Sequence, residues 1–257
     1  MAMSLASLKK SAPRSNPFGL IYGVEKVGKT SLACEAPKPI LLRTPGENPP
    51  AGVEVDTFED EAKTLNDFFD AVGSLITEDH DFQTFIIDSG DGLNRLVEDE
   101  ACKRNGWPSI EEPGYGKGYV EALNIWNNEV LAALSDLRTI KGMSVLLITH
   151  AEITKFDSPT SDSYNRYRPN LRKNVADLIQ AQADFIAFVN HRVSIVKEKG
   201  GFNQETKRGE GAGLRVMYFD ERPGFIAGSR YNHPSEITYK PGKGWEEIAK
   251  HLPGSAS

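Results

Sequence analysis

Residues 20–33 read LIYGVEKVGKTSLA, and within them Gly23-Val24-Glu25-Lys26-Val27-Gly28-Lys29-Thr30 satisfies the pattern GxxxxGK[ST] in full. Few short segments constrain a fold so tightly. Such a loop works when a buried strand delivers the chain to the first glycine and a helix carries it away after the lysine, so that backbone N–H groups converge on one point. The flanks meet that demand: FGLIYG (18–23) is an apolar run, and a short helix is expected over 30–35. The residue types then indicate a phosphate cradle. Glycines let the backbone turn its N–H groups toward phosphate oxygens, Lys29 reaches the β and γ phosphates, and the Thr30 hydroxyl suits Mg2+. The expected nucleotide contacts are Gly23, Val24, Glu25, Lys26, Val27, Gly28, Lys29, Thr30 and Ser31.

Beyond the loop, short apolar runs alternate with helical patterns. PILLR (39–43), TFIID (84–88), SVLLIT (144–149) and DFIAFV (184–189) read as buried strands. Helices are expected over Glu59 to Ile76, with Leu65, Phe68, Phe69, Val72 and Ile76 inward, and over 93–104, 120–137 and 171–182, with a last short one in GWEEIAKHL. This alternation predicts the α/β class, a mainly parallel sheet flanked by helices. Two features depart from it. Residues 151–170 are polar and without a clear period, which predicts a long loop, and loops of that length are usually functional. RVSIVKEKGGFNQETKRGEGAGLRVMYF reads as two strands joined by a polar connection, a C-terminal antiparallel extension. The expected organisation is a flexible segment over 1–16, one domain over 17–252 with its core at 17–190 and its extension at 191–252, and a frayed tail over 253–257.

Composition narrows the class of protein. With 39% apolar and 26% charged residues, and no apolar run near the roughly 20 residues needed to cross a bilayer, the expectation is a soluble, cytoplasmic protein with no membrane partner. Cys34 and Cys102 lie far apart without CxxC spacing, which suggests neither a zinc site nor a disulfide framework. The net charge of -6 hides a division: residues 47–100 are acidic, with Lys63 and Arg95 their only strong bases, whereas 150–215 is modestly basic.

Two carboxylates are candidates for the chemistry beside the loop. Asp88 ends the strand TFIID, and in P-loop enzymes an acid at that place holds the Mg2+. A hydrolase also needs a group to polarise the attacking water; Glu47, just beyond PILLR, is the candidate, with Glu25 as the alternative.

With the P-loop, Asp88 and the closing His150 of VLLITH in place, the chain resembles the RecA-type core ATPases. More narrowly, it is similar to a phage-encoded group of RecA-core proteins that includes single-strand annealing recombinases. The resemblance runs from about Phe18 to Leu252 and rests on GVEKVGKT, TFIIDS, GYGKGY, VLLITH and FIAGSRYNHP. It implies a RecA-like core that binds ATP and Mg2+ between the subunits of a homo-oligomer and acts on single-stranded DNA, with a single-stranded-DNA-binding protein as a further partner. It also implies that His150 senses the γ-phosphate and that the following segment touches DNA. Lys155, Phe156, Tyr164, Arg166, Tyr167 and Arg168 are the candidate DNA contacts, since bases interleaved with aromatics suit single strands.

Arg230 corresponds to an arginine finger presented to a neighbouring subunit, while Gly228 stands where related ring ATPases carry a lysine. A second departure is RTPGE, where an acidic run more often leads to the catalytic glutamate. The competing functional classes are a hexameric helicase-like motor and a regulatory or packaging ATPase that does not bind DNA.

Overall fold

The computed structural model describes residues 15–158, 162–200 and 204–253, with backbone alone over 193–212; most of the expected flexible start and frayed tail lie outside them. The strand that feeds the P-loop, β1 (Phe18–Gly23), is buried at all six positions, which is why its sequence is apolar throughout rather than alternating. The loop then enters α1 (Lys29–Cys34). Next come β2 (Pro39–Arg43), the two-residue β3 (Asp56–Thr57), α2 (Leu65–Thr77), β4 (Thr84–Asp88) and α3 (Gly90–Asn105). They are followed by α4 (Lys117–Ile125), a π-helical turn at Trp126–Val130, α5 (Leu131–Ile140), β5 (Ser144–Phe156), β6 (Tyr164–Pro169) and α6 (Lys173–Gln182). The chain ends with β7 (Phe185–Gly200), β8 (Gln204–Tyr218), β9 (Gly228–Ser229), β10 (Glu236–Tyr239) and α7 (Gly244–Ala249).

The strands join in the order β10-β8-β7-β1-β5-β4-β2-β3. From β7 to β3 every pairing is parallel, and β8 and β10 continue the sheet antiparallel. This is the α/β architecture, a mainly parallel sheet flanked by helices with a C-terminal antiparallel extension, that the alternation of strands and helices predicts. Alternate residues of the strands feed two cores. Leu20, Leu42, Phe85, Ile87 and Leu147 pack with apolar residues of α2 to α6 on one face, and Ile21, Leu41, Ile86 and Leu146 pack with Leu32 of α1 and Trp245 and Ile248 of α7 on the other. Each such side chain contributes about 1.5–3 kcal/mol by leaving water.

Local chemistry corrects several expected boundaries. The helix expected from Glu59 begins at Leu65, because Thr64 forms a capping box with Asp67: the Thr64 hydroxyl accepts from the Asp67 N–H and the Asp67 carboxylate accepts from the Thr64 N–H. The helix expected at 93 starts three residues earlier behind Ser89, whose hydroxyl accepts from the Gly92 N–H. The single helix expected over 120–137 is two, joined by the π turn that carries the buried Trp126.

The largest correction concerns residues 151–170. They do not form a long loop: β5 runs on to Phe156 and pairs antiparallel with β6, from Ala151 opposite Pro169 to Phe156 opposite Tyr164. This hairpin is held to the body by aromatic packing. Tyr167 stacks on Phe188 at 5.1 Å between ring centroids, Phe188 stacks on Phe225 at 4.7 Å, and Tyr22 lies 5.1 Å from Phe188.

Candidate functional site

At the end of β1 the sheet leaves no room for a side chain. A Cβ on Gly23 would stand 2.1 Å from the Val189 carbonyl oxygen of β7, so glycine alone lets the two strands stay paired where the loop begins. Gly28 takes φ 88, the left-handed region, and turns the chain into α1, whose first N–H groups have no side-chain cap. These uncapped donors face a cavity of about 460 Å3 lined by Glu25, Lys26, Gly28, Lys29, Thr30, Ser31, Glu47, Asn48, Pro50, Asp88, His150 and Arg215.

The fold thus brings Lys29, Thr30, Asp88, Glu47 and His150 around one space, from β1, β2, β4 and β5. Thr30 Oγ1 donates to Asp88 Oδ2 at 2.6 Å. Lys29 Nζ donates to the carbonyls of Gly23 and Val24, each at 3.1 Å. Lys29 and Asp88 are both buried, at 7% and 3% exposure, and their ionisation follows from that. Burial lowers the Lys29 ammonium, with nearby carboxylates, Asp88 first, opposing the fall. Burial raises the Asp88 carboxyl to about 6, assisted by the neighbouring charge of Glu47 and opposed by the Thr30 hydrogen bond. Both groups therefore gain from a counter-charge that enters the cavity: phosphate for the lysine, a cation for the carboxylate.

Thr30 and Asp88 offer hard oxygen donors in contact with each other, the kind that hold Mg2+ with water and phosphate completing the shell. Among the described residues no group of three or more His, Cys, Asp or Glu forms a metal site, so a cation here would depend on its ligand's oxygens for the rest.

His150 is held from one side. Its Nδ1 lies 2.8 Å from Asp91 Oδ2 and its backbone N–H donates to Asp91 Oδ1 at 3.2 Å. The hydrogen bond to Asp91 raises His150 above its ordinary value against the opposing effect of burial. Asp91 is lowered in turn: burial, which alone would raise it, is outweighed by the interactions with His150. Asp91 sits in the first turn of α3, three residues after Asp88, and its only mark in the sequence is that of an acid near a helix start. Arg215, a lone arginine in a strand, carries no such signal.

A family model described as AAA domain matches residues 15–231, which include every residue of the cavity and the segment that carries Arg230. The chain belongs to the AAA domain family. As an AAA domain protein it is a P-loop ATPase by family and by the arrangement of its loop. Among solved structures it is similar to a chain whose title describes an ATPase domain, at 11% identity and a TM-score of 0.43, over 88% of this chain and 81% of that one. No curated protein matches it.

The remaining candidates lie elsewhere. Lys155, Phe156, Tyr164, Arg166, Tyr167 and Arg168 are distributed along the β5–β6 hairpin, which leaves the cavity at His150. The bases there are engaged: Lys155 pairs with Asp157 at 3.3 Å, Arg166 with Glu221 at 3.0 Å, and Arg168 with Glu152 at 3.2 Å. Arg166 also lies 4.1 Å above the Phe156 ring. Arg230 follows β9, whose Ser229 is paired with Phe185, itself beside Gly19 at the start of β1. It therefore lies at the opposite end of β1 from its own P-loop, 59% exposed, 3.5 Å from Asp184. No helix among the described residues is long and apolar enough to cross a membrane.

Proposed function

We propose that this protein binds ATP with Mg2+ and hydrolyses it while acting on single-stranded DNA, in recombination or strand annealing, as a homo-oligomer. The observation that carries the nucleotide half is the 2.6 Å contact between Thr30 and Asp88 beside the buried Lys29, at a loop whose backbone is shaped for phosphate. In this reading Lys29 exchanges its loop carbonyls for phosphate oxygens. Thr30 and Asp88 would hold the cation, which would supply neutralisation of the phosphate charge. Glu47 orients the attacking water, and His150 donates to the terminal phosphate. Arg230 would complete the site of a neighbouring copy, which its distance from its own P-loop supports. The DNA half rests on continuity: β5 carries His150 and runs without a break into the hairpin, so a shift at the phosphate has a stiff path to the candidate DNA contacts.

One observation favours a second reading. Because Lys155, Arg166 and Arg168 each face a carboxylate, the hairpin presents little unbalanced positive charge, as expected of a regulatory ATPase whose hairpin binds protein. The two are separated by the ATPase rate with and without single-stranded DNA, read beside annealing of complementary strands and unwinding of a forked duplex. The proposal expects stimulation and annealing, both absent from Lys29→Ala. An ATPase indifferent to DNA at low salt would sink the DNA half, and directional unwinding would replace annealing with a helicase motor.

A further inference from the structure

Arg215 belongs to no motif, yet it stands over the P-loop. It lies on β8 opposite His191 of β7 and Tyr239 of β10. Val189 of β7 is the partner of Gly23, so Arg215 sits two residues beyond the level at which β1 ends and the loop starts. Immediately past that pair the β7–β8 register slips between His191 and Val193, and Gly213 on β8 takes φ 67. Bulges of this kind re-aim the side chains beside them, and here the result is visible at the loop. A Cβ placed on Gly28 would be 2.3 Å from Nη1 of Arg215 and 2.9 Å from Nη2. The left-handed backbone is what requires glycine at position 28, and the guanidinium rests in the space beside it. Among the described residues Arg215 makes no ion pair, and its side chain lines the same cavity as Lys29, Thr30 and Asp88.

Its side of the sheet indicates which part of a nucleotide it meets. Asp88 on β4 and His150 on β5 lie to one side of β1, whereas Arg215 on β8 lies to the other, beyond β7. Thr30 and Asp88 would hold a cation, and the phosphates it neutralises, on the β5–β4 side. A nucleotide with its β-phosphate in the loop must therefore run its α-phosphate and nucleoside toward β7 and β8. We infer that Arg215 is a nucleotide-binding residue acting within its own subunit, engaging the α-phosphate end of the ligand through its planar fork of N–H donors. This rests on the nucleotide site proposed above and adds a second fixed cation to it, at the end away from the cation-binding pair.

The position makes a specific demand: the α-phosphate is common to ADP and ATP, so Arg215 should stabilise both equally. The test is binding of Mg-ADP and of a slowly hydrolysed Mg-ATP analogue to the parent, to Arg215→Ala and to Arg215→Lys. Arg215→Ala is expected to weaken both ligands by about tenfold or more, the usual worth of a hydrogen bond to a charged group. The ratio of the two affinities should stay that of the parent, and Arg215→Lys should recover part of the loss. Unchanged affinities in a variant that unfolds at the parent's temperature would overturn the inference. A loss confined to the triphosphate would also overturn it, by moving the arginine to the γ end. If the parent itself binds neither ligand, the nucleotide site fails first and Arg215 with it, an outcome distinct from a parent that binds and a variant that binds as well.

Discussion

The pairing of His150 with Asp91 decides what the histidine can offer a phosphate. A neutral imidazole that donates Nδ1–H to Asp91 has only a lone pair at Nε2, which repels a phosphate oxygen; the imidazolium donates from both nitrogens. By raising His150, Asp91 keeps the donor form populated closer to neutral pH. Asp91→Asn should therefore lower the His150 pKa, followed by NMR of its ring protons, and move any loss of ATP-over-ADP preference to lower pH. An unchanged titration would refute the coupling. The stability consequence has a defined sign. His150 is raised in the folded state, so its contribution is complete below the unfolded value of about 6.5 and disappears as pH rises through the folded value. Asp91 is lowered, so its share is lost only as pH falls through its own depressed value. The parent's advantage over Asp91→Asn, about 1 kcal/mol for a partly exposed pair, is thus largest between the two unfolded values, about 3.9 for the aspartate and about 6.5 for the histidine, and narrows to either side. Asp88 was legible in the sequence because it ends an apolar strand. Asp91 gains its meaning only when β5 brings His150 to the first turn of α3, a contact that no local pattern encodes.

Legibility at the level of elements follows burial. The parallel strands were readable because both faces are covered and the sequence is correspondingly apolar, whereas the β5–β6 hairpin was not, because ion pairs replace apolar alternation along it. Glu152 faces Arg168 across the two strands, and the polar residues that conceal the hairpin in the sequence are those that hold it together. The strands β3 and β10 escaped notice because they are two and four residues long. A similar concealed fixture joins α1 to α7. The carboxylate of Glu35, the residue that ends α1, accepts from the N–H groups of Gly242 at 2.8 Å, Gly244 at 2.6 Å and Trp245 at 3.0 Å. Glu35→Ala would leave those donors without their partner at the start of a short helix and is expected to cost about 1–3 kcal/mol. In a domain of this size each kcal/mol lowers the thermal midpoint by about 2–4 °C. A midpoint unmoved in Glu35→Ala would mean that the buried Trp245 and Ile248 alone seat α7.

Across the whole molecule the two ends of the parallel sheet carry opposite halves of the proposed chemistry. The P-loop and Asp88 lie where β1 and β4 finish, with His150 of β5 level with the last residue of β1, and Arg230 lies where β1 begins, its N–H donating to the Asp184 carbonyl at 2.8 Å and its guanidinium to the Ala181 carbonyl at 2.5 Å. No rearrangement within one chain short of unpairing the sheet joins them, because Arg230 is anchored to the residues just before β7 and the P-loop begins opposite Val189, further along the same strand, with β1 and β7 paired between the two. If Arg230 acts in catalysis it acts on another copy, and head-to-tail contacts of that kind generate rings or filaments. Complementation tests this directly. Lys29→Ala lacks a working cradle but keeps its arginine, and Arg230→Ala keeps its cradle but offers no finger. Alone, each should hydrolyse ATP slowly. Mixed in equal amounts and allowed to exchange, they should form interfaces of which about a quarter combine an intact cradle with an intact arginine, and activity should return to that share of the parent's. The specific activity of the parent should also rise with protein concentration as the assembly forms. Mixed variants no more active than their average, together with a rate per chain that is independent of concentration, would confine the reaction to a single subunit and leave Arg230 as a surface partner of Asp184.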